Sequence, residues 1–207
     1  MENNSKTINL AEIEQDALIE GFNIGIGRAA KALSEMVDEK IKLSVPELKI
    51  FTKPYDLSSI GLNTEQKVCA IVQNYNGKYL KTDAMLLFVE EKSLELVRLF
   101  LREDIPLEDI TELEEDALSE IGNIILNACI GSLSNLIDSQ ANGSLPKILK
   151  KNVIDLITSK ENEESVLLII YVDFSIENKS ITGYVIFTLN MINFQLFLNQ
   201  LVKSFTE

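Results

Sequence analysis

The sequence predicts a mixed α/β protein of the α+β type, built from two similar halves that share one sheet. Two observations predict this class. A polar pattern occurs twice at a spacing of one hundred residues, and each half reads as a long helix, three β-prone segments and a closing helix. The expected architecture is therefore α-β-β-β-α twice, with about six strands and two long helices related by a pseudo-twofold axis.

The repeated pattern is D-x3-E-x2-N-x22-P. It matches both halves without a gap, as Asp16, Glu20, Asn23 and Pro46 and again as Asp116, Glu120, Asn123 and Pro146. A solenoid needs at least about three stacked repeats, so two units are expected to share one core. Residues 1–207 are accordingly predicted to form a single domain of two homologous halves, about 1–104 and 105–207.

A helical period runs through residues 8–40 and 107–138. In each helix the Asp, Glu and Asn of the repeat fall in one narrow stripe and are expected to face solvent. Gly25 and Gly27 are expected to allow close packing against the sheet. The opposite, apolar stripe is expected to be buried and consists of Leu18, Phe22, Ala29, Leu33 and Met36 in the first helix and Leu118, Ile125, Cys129, Leu133 and Leu136 in the second.

Asn76-Gly77 predicts a hairpin, and Pro46 and Pro146 are expected at strand starts, bulges or edges because proline has no N–H to donate. The spacing of one hundred residues is expected to continue, with Val68 opposite Leu168 and Leu96 opposite Leu196. Strands are predicted at residues 41–52, 68–75, 79–89, 144–157, 166–176 and 181–189, closing helices at 90–102 and 191–204, and surface loops at 54–65 and 159–164.

The composition excludes several classes of function. The 207 residues are 46% hydrophobic and 25% charged, which is typical of a globular protein, and the net charge of -13 disfavours nucleic acid and anionic membranes as partners. The chain has no histidine, which excludes histidine triads and histidine general bases. Cys69 and Cys129 are expected to be free thiols in the core. No signal peptide or long apolar run stands out, so a cytoplasmic location without membrane insertion is expected.

A single Glu-x2-Asn pair on an exposed helix face is usually only a solvated surface. Here the pair is kept in both halves although neighbouring residues have diverged, as Gly21-Phe22 against Ile121-Gly122 shows. An exposed polar identity across divergent halves favours a function at the surface. The candidate site residues are therefore Glu20, Asn23, Glu120 and Asn123.

At these residues the sequence resembles the CheC, CheX and FliY family of chemotaxis phosphatases. The family signature is an Asp or Ser, then E-x2-N, then a proline after 22 intervening residues, and the run Asn23-Ile24-Gly25-Ile26-Gly27 is similar to the family's N-I-G-x-G. Two intact signatures in one chain most resemble the CheC-type members. The resemblance implies a CheC-like fold and hydrolysis of the aspartyl phosphate of a CheY-like response regulator.

The resemblance also implies roles for the four residues. Glu20 and Glu120 would pair with a lysine near the active site of the regulator, and Asn23 and Asn123 would position a water for in-line attack on the acyl phosphate. The regulator would supply its own Mg2+, so no cofactor and no metal are expected in this chain. A CheD-like deamidase is a further implied partner.

The chemistry of an amide agrees with this role. An acyl phosphate already has a good leaving group, so its hydrolysis depends on the positioning of water more than on a strong base. An amide accepts and donates hydrogen bonds without placing negative charge beside the phosphoryl group. A chain without histidine can therefore still be a hydrolase.

Two other interpretations remain open: an adaptor that binds receivers or a CheD-like deamidase without catalysis, and a scaffold that uses neither site. Asp16 and Asp116 are assigned no chemistry, because solvation explains them equally well. Phe22 stands where the second site has Gly122, and the family usually has a small residue there, so the first site fits the family pattern less well than the second. A further acidic cluster is attributed to the helix dipole rather than to a metal, and comprises Glu112, Glu114, Glu115, Asp116 and Glu120.

Overall fold

A computed structural model describes residues 8, 10–45, 47–52, 63, 65–101, 111–158, 165–176 and 179–206. Over these residues the chain forms an open antiparallel sheet with helices on both faces, which confirms the predicted mixed α/β class. The elements in chain order are α1 (Glu12–Val37), β1 (Ile41–Ser44), β2 (Leu48–Thr52), β3 (Lys67–Gly77), β4 (Lys81–Val89), α2 (Glu90–Leu101), α3 (Thr111–Leu136), β5 (Ala141–Gly143), β6 (Lys147–Asn152), α4 (Val153–Thr158), β7 (Ser165–Ile176), β8 (Lys179–Asn190) and α5 (Met191–Thr206).

The eight strands occupy six positions in the order β1-β7-β8-β4-β3-β5, because β2 continues beside β7 and β6 continues beside β3. Each proline-containing segment is thus one edge strand broken in two. From Leu43 to Leu48 the edge strand advances by five residues, whereas the residues paired with them on β7, Phe174 and Ile170, are four residues apart. From Gly143 to Lys147 the other edge strand advances by four residues, whereas the residues paired with them on β3, Tyr75 and Val72, are three residues apart. One extra residue at each break is the signature of a β-bulge.

Pro146 lies in the second break, between β5 and β6, as the bulge-or-edge prediction requires. Pro46 falls outside the described residues, so its part of that prediction is not tested. The hairpin at Asn76-Gly77 is confirmed with a later turn, since β3 extends through Gly77 and Asn76 pairs with Lys81.

The two halves are interlocked by their edge strands. Strands β1 and β2 pair with β7, whereas β5 and β6 pair with β3, and β4 joins β8 at the centre. The helices cross over in the same way, because α1 packs on α5 and α3 packs on α2. That residues 1–104 and 105–207 are homologous parts of one domain stays a prediction.

The main core lies between the sheet and the helices α1, α2, α3 and α5. A smaller apolar cluster covers the opposite face of the sheet and includes α4. Helix α3 is long and apolar enough over Leu113–Leu136 to cross a membrane, with a mean hydropathy of 1.2, yet 56% of its most apolar stretch is buried in this fold. Packing against the sheet and against α1 accounts for its apolar composition.

Both long helices end in the same way. Asp38 and Asp138 follow the last turns and adopt left-handed backbone conformations, with φ of 52° and 45°. The next amide N–H, of Glu39 or Ser139, donates to the carbonyl oxygen of Ser34 or Ser134 at 3.2 and 2.9 Å. This bond closes a Schellman turn, which satisfies a terminal carbonyl group of each helix.

Several sequence-based boundaries are wrong. The predicted strand at 144–157 ends at Asn152 and is followed by the short helix α4. Its apolar residues Val153, Leu156 and Ile157 have the spacing of one helical face, which buries them on the second face of the sheet. Met36, expected in the buried stripe, is 45% exposed at the end of α1.

The constant spacing of one hundred residues holds in the long helices and in the edge strands, but it is wrong in the central strands and in the closing helices. In the sheet, the residues that face the main core are Cys69 and Ile71 in β3 but Leu168 and Ile170 in β7, a spacing of ninety-nine. In the closing helices the spacing is one hundred and one, because Leu96 is buried like Phe197 while Leu196 is 45% exposed. Small insertions between elements shift the register without changing the apolar period that the sequence displays.

Candidate functional site

The first site lies on the exposed face of α1. Glu20 and Asn23 are both exposed, and Asp16 lies one turn before Glu20 on the same face. Neither Glu20 nor Asn23 forms a hydrogen bond or ion pair with the described residues. Phe22 points the other way: it is buried, with its ring centroid 5.4 Å from that of Phe187. The bulky ring therefore belongs to the core and does not cover the site.

The second site lies on α3. Glu120 and Asp116 are exposed, and Asn123 is half-buried. The Asn123 carbonyl oxygen Oδ1 accepts two hydrogen bonds, from Gln73 Nε2 at 3.1 Å and from Asn127 Nδ2 at 2.7 Å. Unlike Asn23, this amide is held by neighbours on β3 and on its own helix.

The hydrogen bonds continue beyond Asn123. Gln73 Nε2 also donates to the backbone carbonyl oxygen of Ser144 at 2.9 Å. The hydroxyl of Tyr75 lies 3.0 Å from Gln73 Oε1 and 2.9 Å from Asn127 Oδ1, and its one proton serves one of these acceptors at a time. We call Gln73, Tyr75 and Asn127 the amide-holding group.

A backbone carbonyl sets the orientation of Asn123. The Ser144 carbonyl oxygen only accepts, so Gln73 must present its NH2 group to it. The same NH2 group then faces Asn123, which must present its Oδ1. The Asn123 NH2 group, with its two donors, is left for the surface. The hydrogen bonds to the sheet thus determine that the Asn123 side chain presents its NH2 group, rather than its Oδ1, to a binding partner.

Two glycines, Gly122 and Gly143, allow the elements around Asn123 to pack closely against β3. A Cβ on Gly122 would lie 2.4 Å from Cγ2 of Ile71 on β3, so no larger residue fits there without movement. A Cβ on Gly143 would lie 2.8 Å from Cε1 of Tyr75, so this glycine makes room for the tyrosine ring. At the first site the corresponding places are filled by Phe22 and Leu43.

The amide-holding group has no counterpart at the first site. In the ninety-nine-residue register of the sheet, Gln73 corresponds to Val172 and Tyr75 to Phe174, and both of these side chains are buried in the main core. On the helices, Asn127 corresponds to Gly27, which is exposed and would have nothing within 4 Å of an added Cβ. All three polar partners are replaced by residues that cannot hold an amide.

Sequence reasoning missed this group. One signal was present, because Gln73 interrupts an otherwise apolar set of β3 residues facing the main core and is only 1% exposed. A buried amide requires hydrogen-bond partners, which makes such a residue conspicuous. Burial also raises the pKa of the Tyr75 hydroxyl, which therefore stays protonated and neutral.

The acidic cluster at the start of α3 differs from its prediction. Glu114 is buried and forms an ion pair with Lys150 on β6, with Oε2 3.4 Å from Nζ. Ser93 Oγ also lies 3.4 Å from Glu114 Oε1. Glu114 therefore ties α3 to the sheet rather than facing solvent. Within the part of the chain that the structure describes, no group of three or more Cys, Asp or Glu residues is arranged to hold a metal.

The two glycines of α1 behave differently from their prediction. A Cβ on Gly25 would lie 2.7 Å from Cα of Cys129, so Gly25 allows close approach of α1 to α3 rather than to the sheet. Gly27 is exposed and allows no packing at all. Cys69 and Cys129 are free and buried as predicted, and burial raises the pKa of their thiols to about 11 and about 12.

Comparison with known proteins relates this geometry to a family. No family model matches the chain. A curated relative, the CheY-P phosphatase CheC of Bacillus subtilis, is 25% identical over 141 residues, which cover 67% of each chain. The crystal structure of Thermotoga maritima FliY superposes with a TM-score of 0.74 at 21% identity, covering 95% of this chain and 100% of that one. The chain is thus similar to proteins of the CheC/CheX/FliY family.

Two further structures show how widely this fold is used. A chain of the CheX–CheY–BeF3–Mg2+ complex from Borrelia burgdorferi matches with a TM-score of 0.52 at 18% identity, covering 83% of this chain and 97% of that one. A chain of the FliG–FliM complex from Helicobacter pylori matches with a TM-score of 0.64 at 9% identity, covering 92% and 100%. The CheC/CheX/FliY fold is thus shared with proteins that were crystallised in complexes with other proteins.

Proposed function

We propose that this protein is a phosphatase that hydrolyses the aspartyl phosphate of a CheY-like response regulator. The observation that carries the proposal is the placement of two Glu–Asn pairs on the outward faces of α1 and α3. Asn23 is exposed and Asn123 half-exposed, so both amides are accessible to a partner protein. Both asparagines lie on long helices, and a rigid helix suits a side chain that must enter the cleft of another protein.

In the proposed reaction a water oxygen attacks the phosphorus in line with the bond to the regulator's aspartate. The P–O bond to that aspartate breaks, its electron pair stays on the released carboxylate, and the proton of the water leaves with inorganic phosphate or passes to solvent. The Mg2+ that offsets the developing charge is held by the regulator. This chain contributes the positioning of the water by Asn23 or Asn123.

The hydrogen bonds of Asn123 refine that role. Its Oδ1 already accepts from Gln73 and Asn127, so at the second site the amide meets the regulator through its NH2 group. An NH2 donor orients a water by binding one oxygen lone pair while the other attacks, or it binds a phosphoryl oxygen directly. Acceptance of a hydrogen bond from the water requires the release of Asn127 or Gln73.

Glu20 and Glu120 would orient the regulator by pairing with a lysine beside its active site. Both carboxylates are exposed and free of ion pairs with the described residues. The net charge of -13 also attracts a partner with a basic patch over long distances. The cytoplasm, where response regulators act, is the location that this proposal implies.

The direct test is the decay of phosphate on a CheY-like regulator, with and without this protein. The unaltered chain should shorten the phosphate lifetime, and the double variant Asn23→Ala/Asn123→Ala should remove the acceleration. Glu20→Ala/Glu120→Ala should instead raise the regulator concentration needed for half-maximal rate. A double asparagine variant as active as the parent would disprove the proposed mechanism.

A second candidate function is an adaptor that binds receivers or a CheD-like deamidase without catalysis. The match to a chain of the FliG–FliM complex favours it, since that fold was crystallised in complex with another protein. The adaptor predicts phosphorylation-dependent binding with no change in phosphate lifetime. Binding assays run beside the decay assay separate the two functions.

A further inference from the structure

We propose that Gln73, Tyr75 and Asn127, the amide-holding group, position the Asn123 amide for the reaction and make the second site the faster of the two. This inference rests on the proposed phosphatase function. The polar groups of the three residues are engaged with one another and with Asn123. They act through Asn123 and are positioning residues.

Core packing does not require a glutamine at position 73. The side chain is 1% exposed, and a buried amide costs free energy unless all its polar atoms are paired. The corresponding residue of β7 is Val172, which fills the same kind of core position with no polar group. Packing alone therefore explains a valine here and not a glutamine. What the glutamine adds is a set of hydrogen bonds, to Asn123 Oδ1, to the Ser144 carbonyl oxygen and with the Tyr75 hydroxyl.

The Gln73 side chain is itself held in place by hydrogen bonds. Its NH2 group bonds to Asn123 Oδ1 and to the Ser144 carbonyl oxygen, and its Oε1 lies 3.0 Å from the Tyr75 hydroxyl. Ser144 is tied to the same strand, because Asn74 N donates to Ser144 Oγ at 3.0 Å. The chain of bonds runs from the backbone of the sheet to the site amide without a break.

The Oδ1 atom of Asn123 accepts a second hydrogen bond besides the one from Gln73. Asn127 lies one turn after Asn123, and its Nδ2 donates to the same oxygen at 2.7 Å. With both lone pairs of Oδ1 engaged, rotation of the amide would break two hydrogen bonds. Asn123 is thus held in one orientation before a partner arrives, whereas Asn23 must be ordered on binding.

The test uses single-site backgrounds of the full chain. In the Asn23→Ala background, only the second site acts. There Gln73→Val and Tyr75→Phe, which install the residues found at the other site, should each lower the rate at saturating phosphorylated regulator by about 3- to 30-fold. The regulator concentration for half-maximal rate should change less than about twofold, because Glu120 still docks the partner.

Two controls separate positioning from loss of folding. In the Asn123→Ala background, the same substitutions should leave the first-site rate intact, whereas a folding defect would lower it equally. Tyr184→Phe removes a half-buried hydroxyl from the other face of the sheet and should leave both rates unchanged. Thermal unfolding of each variant gives the folded fraction independently. Equal losses in both backgrounds, or no loss in the Asn23→Ala background, would overturn the proposal.

A second readout does not depend on activity. NMR relaxation of the Asn123 side-chain NH2 group should show a rigid amide in the parent and a mobile one in Gln73→Val and Tyr75→Phe. The Asn23 NH2 group should be mobile in all of them. A parent without phosphatase activity would reject the proposed function, while an Asn123 amide that stays equally rigid in the variants would reject the positioning network itself.

Discussion

The two candidate sites carry the same Glu and Asn on equivalent helices, yet their surroundings differ. At the second site, Gly122 brings α3 close to β3, and a buried glutamine reaches Asn123. At the first site, Phe22 fills the space beneath the helix and leaves Asn23 without a hydrogen-bond partner among the described residues. Two sites that present the same Glu and Asn to a partner can therefore differ in how firmly the Asn side chain is held.

The largest expected effect concerns the division of activity between the sites. Because Asn123 is held and Asn23 is not, Asn123→Ala should lower total phosphatase activity by about 4- to 30-fold, and Asn23→Ala by less than about 1.5-fold. Initial rates of phosphate release from a phosphorylated CheY-like regulator measure both. Equal losses from the two substitutions would show that the hydrogen bonds around Asn123 have no kinetic consequence.

The sequence alone placed the four candidate residues on two long helices, but it did not reveal the difference in their surroundings. The repeat is local in the chain, so Glu20 and Asn23 could be placed on one face of a helix from their spacing. The support of Asn123 comes from Gln73 and Ser144, which are far apart in sequence and meet only because β5 and β6 pair with β3. Long-range pairing of this kind is not encoded in a helical or strand period.

The order of elements was predictable for the same reason, with the exception of the short helix α4, because each element depends on a local apolar period. The shift of register in the sheet was not. Gln73 aligns with Asp173 at a constant spacing of one hundred, and that alignment conceals its true counterpart, Val172. Val172 and Phe174 lie on the face of the sheet that packs against the helices, as Gln73 and Tyr75 do, and this shared face identifies them as counterparts.

The next prediction concerns two glycines of α1: Gly25, which packs against α3, and Gly27, which faces solvent. Gly25→Ala should lower the free energy of unfolding by about 1–3 kcal/mol, because the new Cβ would lie 2.7 Å from Cα of Cys129. Gly27→Ala, the matched control, should raise it by about 0.5–1 kcal/mol, since nothing lies near its Cβ and alanine favours a helix. Chemical denaturation measures both, and a stable Gly25→Ala would show that the helices separate easily.

The ion pair between Glu114 and Lys150 also belongs to the second half only, since the position of Lys150 on β6 corresponds to the buried Ile50 on β2. Lys150→Met would leave a buried carboxylate unpaired and should lower the free energy of unfolding by about 1–2 kcal/mol, a value reduced for the partial exposure of the lysine. Chemical denaturation measures this loss, and Glu114→Gln/Lys150→Met should recover part of it.

The same pair gives a dependence on pH with a defined sign. Burial of the Lys150 amine lowers its pKa, but the neighbouring acidic groups, with Glu114 the largest contributor among them, together outweigh burial, so the pKa is raised above 10.5. A raised pKa in the folded state stabilises the fold below pH 10.5, and the stabilisation is lost as the pH rises through the folded value. The difference in stability between the parent and Lys150→Met should therefore shrink above pH 10.5 and stay constant near neutrality.

The smallest effect concerns the residue beside each edge-strand break. Leu145 follows Ser144 and is 84% exposed, whereas the corresponding Val45 is half-buried. An exposed leucine next to the residue that anchors Asn123 offers apolar area to a regulator bound at the second site. In the Asn23→Ala background, Leu145→Ser should raise the regulator concentration for half-maximal rate by about 2- to 5-fold and leave the saturated rate and the stability unchanged. A change in the saturated rate instead would mean that Leu145 acts on the amide through Ser144 rather than on the partner.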